Sequence, residues 1–360
     1  MDITVNPWTT ARFAATLAAA SAIVAPVVAP FADHPDVQTR AVRLVSGDVS
    51  WDQVLQTAMA NSTDISDHFS PAPFADVQQF TANLPAYLDG SRNFETDLMS
   101  AYNAAITPFD PANPEPYIYT SVDPTQSDIG ISALGIHLFD IPLPGKDGLI
   151  DDLTNGLSFT IGLCPLCTHI DIPILPLLVG DNEAAQITPY LEFSGSPLSG
   201  ILWGSFGTAL SPLLQLHDDF TTITTDLSGA TPDYTAAFNE LADMPANVSN
   251  AFLNGYGDIN LDTLLTDLGS SAPSGVDAGA IQLDLGGLLS PAGSLINGIG
   301  ISDTFGDCSI GCATLDVPSS AVGPIASLFL QDQAIAEAIG WDGVGQPLAH
   351  LFSDLTALFN

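Results

Sequence analysis

The chain is 360 residues long and 46% hydrophobic, and it carries 41 acidic residues against 5 Lys+Arg, for a formal net charge of −36. That length and apolar content allow a buried core in one large domain or two ordinary ones, and they argue against wholesale disorder. The charge excludes nucleic acid as a partner, because phosphate backbones need Lys/Arg neutralisation; anionic lipid headgroups are repelled, and cations are attracted weakly within a screening length of about 8 Å.

The first element is a leader. Arg12 precedes an uncharged stretch, Phe13 to Ala32, rich in Ala and Val. Residues 1–32 therefore read as a secretory signal peptide, with cleavage expected after Ala29 or Ala32. Pro26 and Pro30 interrupt the run, leaving less than the ~20 residues a membrane-spanning helix requires. An exported protein of the cell envelope, or a secreted one, is the expected location.

Residues 33–107 read as a helical N-terminal segment. Ser50 and Gln53 form a capping box, and Trp51, Val54, Leu55, Ala58, Met59, Ile65 and Phe69 keep a helical stripe. "SPAPF" ends it. A second helix carries Phe74, Val77, Thr81 and Leu84 up to the break "LDGSRN", and a third carries Phe94, Leu98, Tyr102 and Ile106. A Pro-rich linker at 108–117, "PFDPANPEP", then marks the clearest boundary in the chain.

Residues 118–360 read as a mixed body. Alternating stretches such as Leu157-Phe159-Ile161-Leu163 and Ile170-Ile172-Ile174 predict half-buried strands, as do "IGISALGIHLFDIPLPG" and "AIQLDLGGLL". One phrase, an aspartate between two large apolar residues followed by proline, recurs at Phe139-Asp140-Ile141-Pro142, Ile170-Asp171-Ile172-Pro173 and Leu315-Asp316-Val317-Pro318. Proline stops a hydrogen-bonded ladder, so each copy predicts a strand terminus. Helices are expected at 198–227, at 232–254 with Thr231 as N-cap and Pro232 in the first position, at 259–268 and at 331–340. The fold class is α+β: an N-terminal helical segment followed by a sheet-containing body with interspersed helices.

The uncharged run Phe193–His217 is the one later stretch that raises the question of membrane insertion. Pro197 and Pro212 confine its helix to about 14 residues, short for a span. Gly200 and Gly204, with Trp203 between them, form a G-x-x-x-G that lets another element approach closely. These three residues mark a candidate membrane or helix-contact segment, with a buried core helix the favoured reading. Too few alternating segments are present for a single-chain barrel; an oligomer could build one jointly.

Cysteines come as two close pairs, Cys164 with Cys167 and Cys308 with Cys312, in "CPLCTHIDIP" and "CSIGCATLDVP". Aligned on Cys167 and Cys312, both place the repeated aspartate four residues on and the proline six residues on. In an exported chain the four are disulfide candidates of open connectivity. A zinc half-site or a redox pair are the alternatives.

No catalytic motif, cofactor-binding motif or metal-ligand spacing is present, so an enzyme is not expected. His217-Asp218-Asp219 reads as a solvated helix face sooner than a cation site. "DINLD" at 258–262 imitates half of a calcium loop but has Thr263 where the turn glycine belongs, so capping and turn duty is expected.

The segments "NSTDISDHFSPAPFADVQQF" (61–80), "DMPANVSNAFLNGYGDINLDTLL" (243–265), "GGLLSPAGSLINGIGI" (286–301) and "AIAEAIGWDGVGQPL" (334–348) resemble a family of mycolic-acid actinobacteria, chiefly mycobacteria: the GjpA-type outer membrane porins. The resemblance implies an exported, channel-forming protein of the mycolate outer membrane; with so few alternating segments, a homo-oligomer would have to build the pore. The acidic composition would make such a channel cation-preferring. The alternative expectation is a secreted or peripheral, non-catalytic envelope protein that binds a ligand or partner. The resemblance maps no catalytic residue onto the chain, and the cysteine pairs are not among its shared segments.

Overall fold

A computed structural model describes residues 49–108, 128–133, 136–142, 157–161, 168–172, 181–267, 269–271, 278–307 and 311–349. The leader, the linker beyond residue 108, and Cys164, Cys167 and Cys308 lie outside the described residues.

The mixed α+β class holds, with the helical segment first. Helices α1 (Trp51–Phe69), α2 (Ala75–Asp89) and α3 (Phe94–Ile106) open the chain. Strands β1 (Asp128–Ala133), β2 (Ile136–Pro142), β3 (Leu157–Ile161) and β4 (Thr168–Ile172) follow. Next come α4 (Asp181–Ser194), α5 (Pro197–Ser228), α6 (Tyr234–Asn254), β5 (Gly257–Asn260) and α7 (Leu261–Asp267). The chain then makes β6 (Ile281–Leu285), β7 (Ile299–Asp307), β8 (Gly311–Val317) and α8 (Pro324–Ala338).

Six strands make one antiparallel sheet in the order β2-β1-β8-β7-β6-β5, and β3 pairs with β4 in a separate hairpin. The described strands thus leave β2 and β5 as open edges. All three copies of the repeated phrase end a strand: β2 stops at Pro142, β4 at Ile172 and β8 at Val317. Register shows that the repetition goes deeper. Ser158 faces Asp171 across β3–β4, just as Ser302 faces Asp316 across β7–β8; Thr160 and Thr304 occupy matching positions two residues on. Thr168–Ile172 and Gly311–Val317, the strands described within the two cysteine-bearing phrases, are therefore the second strands of two hairpins with one pattern. Cys312 sits opposite Gly306 on β7 and Ser132 on β1. It is disulfide-bonded, with its partner outside the described residues.

The main core lies where α5 crosses the β6 end of the sheet. Trp203, Leu214, Ile259, Leu283, Leu285, Leu295 and Val322 are among its buried members. β6 alternates in burial along its length, as a strand with one packed face should. The N-terminal helices share their cores with the body. Ile65 of α1 is buried with Ala326 and Leu330 of α8, and Ala72 and Ala75 are buried with Ala336 and Trp341.

Several expectations change. Pro212 does not end α5, which runs unbroken through 32 residues. An interior proline removes one helix hydrogen bond and costs about 3 kcal/mol; packing on both sides of it, through Trp203 and Leu214, holds the helix straight through. The length argument against a membrane span therefore fails, but apolarity decides the question. Among the described residues no helix is long and apolar enough to cross a membrane. α6 starts two residues later than expected, capped by Asp233, whose side chain accepts from the N–H groups of Thr235 and Ala236. Residues 257–260, expected to open a helix at 259, form β5, and α7 begins only at Leu261. α4 lies outside the helices expected from the sequence, and it carries Pro189 in its interior.

Gly200 and Gly204 do permit close approach, and what approaches is this chain's own backbone. A Cβ on Gly200 would lie 1.8 Å from the carbonyl oxygen of Gly293, and one on Gly204 would lie 2.5 Å from the nitrogen of Pro324 at the start of α8. Trp203 between them is buried in the main core. In this fold the segment is part of a core helix. Gly200→Ala should lower stability by about 1–3 kcal/mol, the usual range for overpacking. A melting temperature equal to that of the unmodified protein would contradict this packing.

Candidate functional site

The N-terminal helices dock with an unexpected face. The apolar stripes of α2 and α3 point outward: Val77, Phe94, Leu98 and Tyr102 are all about half exposed or more, and Leu88 is 88% exposed. What these helices bury instead is small or polar. Ala75 and Asn83 are the buried residues of α2, and Asp97 and Ala105 those of α3.

Long-range hydrogen bonds make that docking possible. Phe74 occupies the N-cap of α2 in the left-handed region, at φ 54, and supplies no side-chain cap. Such a conformation costs a non-glycine residue of order 1–3 kcal/mol. The missing cap comes from α8: Asp332 accepts from the backbone N–H of Ala75 at 3.0 Å and of Asp76 at 3.2 Å. Midway along α2, Asn83 Nδ2 donates to the carbonyl of Ile339 at 2.8 Å. Arg92, in the α2–α3 turn, donates through Nη2 to the same carbonyl at 2.5 Å and through Nε to Asp97. Tyr87 donates its hydroxyl to Asp97 at 2.5 Å.

Between α2, α3 and α8 these joins leave a cavity of about 240 Å³. Phe80, Tyr87 and Phe94 make one wall, with ring centroids 5.7–6.0 Å apart. Leu98, Ala101, Ile335 and Ile339 complete an apolar lining, and Asp76 and Asp97 stand at its margin. Phe80, Phe94, Val77 and Leu98 are exposed as well as lining, so the outward stripes run directly into the mouth.

Electrostatics set the margin. Burial alone would raise the Asp97 carboxyl, but hydrogen bonds from Arg92 and Tyr87 outweigh it and hold the group below the usual carboxylate range. Tyr87 is raised, first by burial and then by donating to Asp97. Asp332 is pushed up to about 7, first by burial and then by the neighbouring Asp76 side chain. Its backbone hydrogen bonds oppose that shift without cancelling it.

The lining holds one hydroxyl–carboxylate pair, Tyr87 with Asp97, and among the described residues no group of three or more His, Cys, Asp or Glu is placed to hold a metal ion. His217, Asp218 and Asp219 diverge. Asp218 accepts from the Tyr256 hydroxyl at 2.5 Å, buried Asp219 accepts from Gln215 at 2.7 Å, and His217 is exposed. In "DINLD", Asn260 caps α7 by accepting from the N–H of Asp262, while Asp258 lies in β5 and accepts from Ser319, so the capping duty holds but residues 258–260 are strand where a turn was expected. The disulfide-bonded Cys312 and the segment Gly200-Trp203-Gly204 belong to β8 and α5 and contribute nothing to the cavity lining. The cavity itself was missed in the sequence. The one available signal was the pairing of aromatic residues on two short successive helices.

Comparison with known proteins finds no matching family model, no matching curated protein and no matching solved structure.

A raised carboxyl binds its proton more tightly in the folded chain than in the unfolded one. The contribution of Asp332 is fully present below its unfolded value of 3.8 and is lost as pH rises through about 7. Thermal melts should accordingly show stability falling across that window. Asp332→Asn, which keeps an acceptor for the α2 cap, should flatten the profile; an unchanged slope in that variant would contradict the assignment.

Proposed function

We propose that this chain is an exported, non-catalytic protein of the cell envelope that captures a small apolar ligand, or the end of an acyl chain, in the cavity between α2, α3 and α8. The observation that carries this reading is the inversion of the two N-terminal helices. Their large apolar side chains face solvent and converge on an apolar cavity, while their small and polar residues do the packing. Exposed contiguous apolar surface of this kind marks binding sites in soluble proteins. The volume sits just under the usual range of ~300–1,000 Å³ for drug-sized ligands, which favours a small molecule or one end of a long one. Asp97 is buried and paired with Arg92, so the half-buried Asp76 is the carboxylate that disfavours an anionic group beside the lining, which favours a neutral or cationic end there.

The export assignment rests on the leader, and the envelope assignment on the resemblance to the porin family. That resemblance also supplies a second reading, a cation-preferring channel built by an oligomer. The acidic composition and the outward apolar helices favour it. Conductance steps in a planar bilayer, weakened when carboxylates are neutralised, would support the channel; their absence with processed, detergent-extracted protein would reject it.

For the binding reading, a neutral fluorescent probe such as N-phenyl-1-naphthylamine should bind saturably at one site per chain. Ala101→Phe fills the cavity without deleting a contact, and it should weaken probe binding at least about tenfold, a change of about 1.4 kcal/mol. Unsaturable binding, or equal affinity in the variant, would overturn the site.

A further inference from the structure

Helix α5 packs on the main core and against α6, and among the described residues one further face is left without a packed element. Gly200, Trp203, Gly204 and Leu214 pack inward. The opposite face carries an unbroken heptad stripe. Phe206, Leu213, Phe220 and Leu227 recur at intervals of seven, and all four are exposed. Leu202, Ala209, Leu216 and Ile223 fill the intervening positions, the first two exposed and the last two half-buried. This is the a/d pattern that seats a second helix, sustained over a seam about 39 Å long.

We infer that α5 is a homodimer interface in which two copies of this chain pair antiparallel along that seam. Three observations select the occupant. First, a heptad repeat matches a partner helix, whereas a helix lying on lipid shows a broad stripe with basic residues on its polar face; no Lys or Arg follows Lys146 anywhere in the chain. Second, a chain of net charge −36 must meet its own copy through an uncharged surface. No seam position from Leu202 to Leu227 is charged, and Asp218 and Asp219 are engaged within the chain by Tyr256 and Gln215, so pairing along the seam sets no like charges directly together. Third, the two-fold register is complementary in size. Centred between Leu213 and Leu216, it places Leu202 opposite Leu227, Phe206 opposite Ile223, and small Ala209 opposite large Phe220. Every pair joins an a position to a d position, as an antiparallel seam requires.

The interface also has somewhere to extend. The N–H of Asp233 donates to the carbonyl of Asp226 at 2.9 Å, which brings the start of α6 against the end of α5. There Tyr234, Phe238 and Leu241 are exposed at the same heptad spacing. A single helical seam falls short of the ~800 Å² per partner of a standard interface, so the dimer is expected to be weak, in the micromolar range. It lies apart from the residues that line the α2–α3–α8 cavity, so its failure and the failure of ligand capture can be told apart.

Sedimentation velocity on the processed protein, from about 1 to about 200 µM, should show a monomer–dimer equilibrium with a midpoint in the micromolar range. Leu213→Asp changes an exposed position, so it should leave the melting temperature and probe binding unchanged while removing the dimer. Ala209→Phe and Phe220→Ala should each weaken association at least about tenfold. The double variant should restore it, because each new phenylalanine then faces a new alanine. A monomer at every concentration, or a dimer indifferent to Leu213→Asp, overturns the interface. Singles that weaken the dimer without rescue in the double overturn the antiparallel register. Flotation with phosphatidylcholine vesicles that Leu213→Asp abolishes, without self-association, would assign the stripe to lipid instead.

Discussion

The scarcity of cations governs how this chain is held together. With 41 acidic residues and 5 Lys+Arg, most carboxylates have no basic partner to find. Arg92 is the sole lysine or arginine among the described residues, and it stands at the junction of α2, α3 and α8, bridging Asp97 and the Ile339 carbonyl. Elsewhere the joins between distant elements are neutral or cap-like. Asp332 closes α2, Gln333 donates to the His68 carbonyl, Ser199 receives the N–H of Leu295, and Asn61 meets Asn254. A carboxylate satisfied by backbone N–H groups needs no countercharge, and that is how several acidic residues here are used.

The same constraint explains which surfaces are free. Self-repulsion over an acidic surface disfavours compaction, and it is opposed by close contact between small residues and backbone. Gly200 and Gly204 let α5 touch residues near 293 and 324 directly, and Ala72, Ala75 and Ala336 do the same for α2 and α8. Packing through small residues leaves the large ones unspent. Phe80, Phe94 and Leu98 therefore line an open cavity, and Phe206, Leu213 and Phe220 remain on the outside of a long helix. The proposed ligand capture at one end and the inferred pairing along α5 would both follow from one packing choice.

Local chemistry was legible in the sequence wherever its partners were near. The Ser50–Gln53 capping box starts α1, and the repeated aspartate–proline phrase ends three strands. Periodicity placed α1, α2 and α3 to within a few residues. It could not say which face would dock, because the large apolar stripe was the visible signal and the small polar face was the one used. Nor could it show the cap supplied to α2 by Asp332, more than 250 positions away. Proline misled at Pro212, where the expected limit of about 14 residues failed although the expected helix at 198–227 held. The shared register of the two cysteine hairpins emerged only once the ladders were aligned.

If neutral contacts do hold an acidic chain against its own repulsion, screening should stabilise it. The direct measurement is the melting temperature of the processed protein as ionic strength rises from about 10 mM to about 500 mM, where the screening length shrinks from roughly 30 Å to a few ångströms. Sodium, potassium and tetramethylammonium chlorides should raise it alike, since screening depends on charge and not on ion identity. A melting temperature that stays flat or falls would mean that attractive ion pairs dominate after all.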